Sequence, residues 1–372
     1  MNRKTLGDRL KNKKGSVTVV VALALITLIG FAALAIDVGH MMVTRNELQN
    51  ISDSAALAAT RELAILYKSP AYIAASGADY IFYASNNKTS IVSYAQTVTT
   101  VNTAVNVAGK NIALSSADFI LGSWDASART FTPTNASPNA VQVVAQRNGA
   151  ENGPVATFLA GVVGLTSFNA RTVATAALTG VPQLPACALP LPVGISMAWF
   201  SDPAVYCTQP IRLYPTNDPQ GCAGWNVYTE SPASANKLST LLKQLNNGNC
   251  VSPETSAGQT AFNFTGGTLT SVFDDMQTLF NTMRVKNDGE LDQDTDPNTW
   301  TTTVPVYDWP DCSNPNARGG PIRIVAFSTI VITEVTGAPT KTITAHVVCN
   351  RVTSGGGGAP GPLYGDIPNL VQ

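Results

Sequence analysis

The sequence predicts an α+β protein in which a long N-terminal helix leaves a membrane and packs on an antiparallel sheet, followed by a disulfide-stapled, strand-rich mixed region. Three observations carry this expectation. An uncharged apolar run from Val17 to Ile36 follows a cluster of basic residues. A Pro-free helical pattern then continues from Val38 to Leu66 and gives way, after Ile91, to strand-like alternation. All six cysteines fall in the C-terminal half. The length of 372 residues corresponds to two or three units at roughly 150 residues per domain.

The run VTVVVALALITLIGFAALAI carries no charge and, at 1.5 Å per residue, matches a hydrocarbon core about 30 Å thick. Arg3, Lys4, Arg9, Lys11, Lys13 and Lys14 precede it, whereas Arg45 is the only Lys or Arg between Asp37 and Thr60. The positive-inside bias therefore puts residues 1–16 in the cytoplasm as a basic stub, makes 17–36 a single transmembrane helix and exports everything after it. A cleaved signal peptide is the competing reading, with Ala33-Leu34-Ala35 as the small-residue cleavage site. An apolar core of about 7–15 residues is usual for such peptides, so the longer run favours a retained anchor. Val155–Leu165 is apolar but too short to span. Asp37 stands at the outer edge of the span, either as an interfacial boundary residue in contact with membrane lipid headgroups and water or as a contact for a partner helix.

From Val38 to Leu66 the apolar positions Val43, Leu48, Ile51, Ala55, Ala58 and Leu66 recur mostly at three- and four-residue steps, so one helix is expected from about Ser16 to Leu66, stopped by Lys68-Ser69-Pro70. A shorter helix is expected over Ala71–Ser85 and a turn at Asn86–Thr89. Strands are expected within Tyr94–Val107, Phe119–Trp124, Ala140–Ala145 and Phe168–Leu178. The proline-rich stretch Val181–Val193 marks a boundary between a module of residues 37–180 and a cysteine-containing domain of residues 181–372. Within the latter, amphipathic helices are expected at Asn236–Asn246 and Thr270–Val285, and strands at Val304–Tyr307, Ile322–Val335 and Thr342–Asn350. Ser354–Pro362 reads as a flexible connector before a last apolar piece at Leu370-Val371.

Cys187, Cys207, Cys222, Cys250, Cys312 and Cys349 contain no C-x-x-C pair, so three disulfides in an oxidising compartment are expected, with fifteen possible connectivities. With 13% charged residues, 44% hydrophobic ones and a net charge of -1, the chain is neither a nucleic-acid binder nor globally disordered. Two histidines, His40 and His346, leave little for His-based catalysis, and no enzyme is expected. In NDGELDQDTDPNTW the carboxylates Asp288, Glu290, Asp292, Asp294 and Asp296 alternate, which suits a calcium-binding loop. Counted from Asp292, however, Pro297 and Thr303 stand where an EF-hand needs Gly and Glu, and a solvated acidic loop is the alternative. Ca²⁺ is the one cofactor the sequence suggests. Asp125-Ala126-Ser127-Ala128-Arg129 reads as a hairpin turn between Trp124 and Phe131.

The segment from Lys13 to Leu63 resembles the N-terminal part of TadG-like (TadE/TadG-like) proteins of the Flp/Tad pilus-assembly group. The matching features are Lys13-Lys14-Gly15, a span closed by Asp37-Val38-Gly39, and the block from Leu48-Gln49-Asn50 through Asp53 to Ala55–Ala59. The similarity continues through Leu121–Pro133, Asn139–Gln146 and Phe158–Leu178, so it covers about residues 13–180. It implies a single-pass protein of the bacterial inner membrane whose periplasmic or extracellular part serves pilus biogenesis or surface attachment, with other Tad/Flp pilus-assembly or pilin-like proteins as partners. Two departures bear on this. Pilin precursors of the related class carry Glu five residues after the processed Gly, where this chain has Val20, which again favours a retained anchor. The D-x-S-x-S metal motif that some TadG-like proteins carry is broken here by Arg129. A membrane-anchored binding module or adhesin, with calcium as its candidate cofactor, is the alternative function, kept open by the cysteine-rich half.

Overall fold

The structure, a computed structural model, describes residues 13–73, 75, 77–101, 106–107, 110–213, 221–265, 270–286, 296–313, 315, 320–337, 339–357 and 361–372. Helix α1 runs unbroken over Lys13–Tyr67, 55 residues. It has two halves of opposite character. The large apolar side chains from Val17 to Ile36 are exposed, between 51% and 66%, so none of the described residues covers them. From Asp37 on, Thr44, Leu48, Ile51, Ala55, Ala59, Leu63 and Tyr67 are buried at three- to four-residue steps, which is one continuous stripe of a helix.

The chain then forms α2 (Lys88–Val101), β1 (Phe119–Asp125), β2 (Thr130–Pro133), β3 (Ala140–Arg147), the short pair β4 (Val155–Ala156) and β5 (Ser167–Phe168), and β6 (Ala170–Ala177). Of the strand expected within Tyr94–Val107, Asn106–Val107 is a strand, paired with Lys110–Asn111, and helix α2 corrects the part up to Val101. Its β-branched sequence, KTSIVSYAQTVTTV, suits a strand by propensity, yet Ile91, Val92, Ala95 and Thr99 are the buried positions and their steps are helical. In place of one helix over Ala71–Ser85 there are three short ones, Pro70–Ile73, Gly77–Ile81 and Tyr83–Asn86.

Further elements include β7 (Val193–Ser196), β8 (Ile211–Arg212), β9 (Ala223–Asn226), α3 (Ala235–Asn246), β10 (Ala261–Thr265), α4 (Thr270–Lys286), β11 (Trp300–Tyr307), β12 (Pro321–Thr336), β13 (Thr342–Val348), β14 (Arg351–Gly356), β15 (Leu363–Ile367) and β16 (Asn369–Leu370). Part of the expected flexible connector is thus strand β14, paired in parallel with β15 through Arg351↔Leu363 and Val352↔Tyr364. Gly357, just past β14, serves close approach, because a Cβ there would collide with the backbone of Thr179.

Two compact units emerge from the contacts. The first comprises Met1–Ser52, Thr99–Leu114 and Val144–Val173, and the second Asp53–Val98, Ser115–Val143 and Ala174–Gln372. In the first unit Ser52 Oγ donates to Thr172 Oγ1 at 3.2 Å, tying α1 to β6. In the second, α1 continues against the same strand, with Thr60 Oγ1 donating to the Ala176 carbonyl at 3.1 Å. The strand order of this sheet is β16-β6-β3-β1-β2, antiparallel where β1 meets β2 and β3 and where β16 meets β6, so residues on both sides of position 181 share one sheet. The β1–β2 hairpin pairs Trp124 with Phe131, and the Asp125 carboxylate accepts from the Ser127 and Ala128 amides in the turn.

The second unit also holds a sheet that closes on itself. β11 pairs in parallel with β7 and antiparallel with β12, while β7–β9, β9–β10 and β10–β12 complete the ring, with β13 and then β8 attached to the far end of the 16-residue β12. One apolar cluster combines Phe262, Phe264, Tyr307, Ile324 and Phe327. The other packs Leu238 and Leu242 of α3 and Phe273, Met276 and Leu279 of α4 against Trp225, Trp300, Ile330 and Ile332. Gly194 and Gly224 face each other across β7 and β9, and a Cβ on either would come within 3.1 Å of the Phe264 ring. The three disulfides are Cys187–Cys250, Cys207–Cys349 and Cys222–Cys312.

Candidate functional site

The outer end of the apolar run is built around Asp37. Its carboxylate, only 8% exposed, accepts backbone N–H bonds from Phe158 at 2.7 Å, Leu159 at 3.2 Å and Ala160 at 2.5 Å. These amides open a 3₁₀ turn, Ala160–Val163, in the loop between β4 and β5. Burial works to raise the carboxyl, but the three amides and the neighbouring His40 outweigh it and hold Asp37 below the usual carboxylate range. His40, one turn further along α1, meets Phe158 edge to face at a centroid distance of 4.8 Å and Phe168 at 6.1 Å. The loop itself is apolar and uncovered: Phe158 is 68% exposed, Val162 90% and Leu165 64%. Sequence reasoning located Asp37 but not its partners, which lie 121 to 123 residues away.

The far end of α1 enters a tyrosine cluster in the second unit. Tyr67 donates to the Pro138 carbonyl at 2.6 Å, and Tyr72 and Tyr80, stacked at 4.7 Å, both donate to the Cys349 carbonyl. Burial pushes all three phenols up from their ordinary values, Tyr67 and Tyr72 well up. Asp366 adds ion pairs to Lys68 at 3.2 Å and Arg61 at 3.6 Å. The buried Asn139 clasps the backbone of Trp124, accepting from its N–H at 2.7 Å and donating to its carbonyl at 3.3 Å.

A cavity of about 660 Å³ also lies within the second unit, with Trp124, Asp125, Phe200, Tyr206, Asp308 and Trp309 among its walls. Its aromatic walls can take the flat face of a ring. Its carboxylates are already engaged, Asp125 with its own turn and Asp308 with Arg323 at 2.7 Å. His346 lies exposed on β13, opposite Val331.

Of the proposed calcium ligands, Asp288, Glu290, Asp292 and Asp294 lie outside the described residues. Asp296 is exposed, and its carboxylate accepts from the backbone and side-chain amides of Asn298 at 2.9 Å. Among the described residues no group of three or more His, Cys, Asp or Glu side chains could hold a metal ion.

Comparison with known families covers the N-terminal part of the chain. Residues 15–64 match the Tad family, described as Flp pilus-assembly TadE/G-like, and residues 77–176 match the Tad_C family, described as Tad-like Flp pilus-assembly. No curated protein and no solved structure matches the chain. The first match takes in the apolar run, Asp37 and the buried stripe of α1 as far as Ala64, and the second takes in α2, the sheet strands β1 to β3 and the Asp37-bound loop. Over residues 15–64 and 77–176 the chain is similar to the TadE/TadG-like and Tad-like Flp pilus-assembly families.

Proposed function

We propose that this Tad-type pilus component is a bitopic inner-membrane protein, with residues 1–16 in the cytoplasm, 17–36 across the bilayer and everything after Asp37 exported. The observation that carries the reading is the change of character within one unbroken helix, uncharged and exposed at every large apolar side chain from Val17 to Ile36 and buried along one stripe from Asp37 on. An uncharged apolar run of this length, left exposed by the described residues, supports a place in lipid. The basic cluster before Val17 and three disulfides after Asp37 support the orientation.

The exported part works by binding other Tad/Flp pilus-assembly or pilin-like proteins and not by catalysis. Fractionation and protease protection test this reading. Full-length chain should stay in the inner membrane, and protease added from the periplasmic side should digest it up to the span. A soluble product beginning near Ile36 overturns the anchor, and loss of the gene without loss of pili overturns the assembly role. The aromatic cavity supports a second reading, an anchored binding module or adhesin. That reading predicts a strain that keeps its pili and loses attachment.

A further inference from the structure

We propose that the loop Phe158–Leu165 is a second membrane contact, lying in the lipid interfacial layer beside the point where α1 leaves the bilayer. The proposal rests on the reading of Val17–Ile36 as a retained span, and four observations on the first unit carry it.

The loop is fixed at the right height. Phe158, Leu159 and Ala160 bind Asp37, the first residue after a run that already fills about 30 Å of hydrocarbon. Within Val17–Ile36 only Ala33 is partly covered, and it lies one turn before Asp37 on the same helix face. That face is therefore covered on the membrane side of Asp37. The loop's chemistry suits lipid as well. No charged residue occurs between Glu151 and Arg171, and Phe158, Leu159, Val162 and Leu165 are all exposed.

Its backbone is prepared for an apolar surrounding, where an unsatisfied amide is costly. Besides the three amides on Asp37, Val162 donates to the Leu159 carbonyl, Gly164 to Gly161 and Leu165 to Ala160, each at 3.1 Å, and Thr157 donates to the Thr166 carbonyl at 3.1 Å. Finally, α1 itself stays apolar and uncovered just past Asp37, at Met41, Met42 and Val43, before Arg45. Two adjacent apolar surfaces at one height are what a headgroup layer accommodates. The carboxylate that would be costly there is saturated by the amides of the loop.

The test uses the full-length chain carrying Val162→Trp, in phosphatidylcholine vesicles with and without bromine near the headgroup end of the acyl chains. Val162 is 90% exposed, so an indole fits. Subtracting the wild-type signal removes the native tryptophans. The added tryptophan should emit at shorter wavelength than in water, lose most of its fluorescence to brominated lipid and be shielded from acrylamide. Free access of acrylamide overturns the proposal. So does shielding from both quenchers, which would mean that a protein partner or a second copy covers the loop. A chain that does not float with the vesicles defeats the span itself, and the loop contact with it; a chain that floats with an unquenched loop defeats only the loop contact.

Discussion

Tyr72 donates its hydroxyl to the carbonyl of Cys349 at 2.8 Å, joining residues 277 apart, and Cys349 is itself bridged to Cys207. The same carbonyl accepts from Tyr80 at 2.9 Å, so each phenol backs up the other. Tyr72→Phe alone should cost about 1 kcal/mol, because Tyr80 still satisfies the acceptor. The double variant Tyr72→Phe/Tyr80→Phe should cost more than the sum of the singles, since it leaves a buried carbonyl without a donor. Urea midpoints of the detergent-solubilised chain decide this. Strict additivity would show that the shared acceptor is unimportant.

Alkaline titration reads the same burial from another side. Tyr67, Tyr72, Tyr80, Tyr206, Tyr228 and Tyr307 are pushed up by burial, and Tyr364 is pushed up to about 12. A phenol raised in the folded state binds its proton more tightly there than in the unfolded chain. The stability it contributes is complete below about pH 10 and is lost as pH rises through the folded value. Phenolate absorbance from these tyrosines should therefore appear together with unfolding. Their ionisation near pH 10 while the fold persists would contradict the packing.

The disulfides staple long loops. Cys207 and Cys349 are 142 residues apart, Cys222 and Cys312 90, and Cys187 and Cys250 63. Reduction should lower the denaturation midpoint, and removing one bridge should cost about 2–5 kcal/mol. Non-reducing peptide mapping should recover these three pairs and no others.

How much of this was legible differs by element. The ends of α1 could be read to within a few residues, because a Pro-free run with helical steps has few alternatives. So could α3, whose Leu238, Leu242 and Leu245 form its buried face. Helix α2 was hidden because Thr, Val and Tyr mimic a strand until burial exposes the helical step. The disulfide pairing, the closed ring of strands and the loop held by Asp37 depend on contacts between residues far apart in sequence, and local patterns do not encode them. Val155–Leu165 stood out as apolar and too short to span, and that was the available signal for the loop.

The ring of strands has a close contact that tests its closure. Phe264 and Tyr307 pack at a centroid distance of 4.4 Å against the two facing glycines of β7 and β9. A Cβ at Gly194 would stand 3.1 Å from Phe264, from Tyr307 and from the Pro305 carbonyl, hemmed in on all sides. Gly194→Ala should therefore cost about 1–3 kcal/mol by overpacking, seen as a lower melting temperature with disulfides intact. A neutral or stabilising effect would place Phe264 elsewhere.

Asp37 should behave as a charged cap whose loss frees a loop and leaves the helix in place. Its two oxygens accept from three consecutive amides, and hydrogen bonds to a charged group are stronger than those between neutral ones. Asp37→Asn keeps the size but turns one acceptor oxygen into an N–H₂ donor that faces an amide. The stripe below it, Thr44, Leu48 and Ile51, is untouched, so α1 should keep its protection. Amide exchange at Phe158, Leu159 and Ala160 should then accelerate by roughly 10- to 100-fold, with no change along α1. The carboxylate's depressed pKa gives the direction with pH: its contribution is present above the unfolded value near 4 and is lost as pH falls through the folded one. Exchange in the loop of the wild type, corrected for the intrinsic rate, should therefore approach that of Asp37→Asn on acidification. If the two stay apart at low pH, charge is not what holds the loop, and shape alone must account for it.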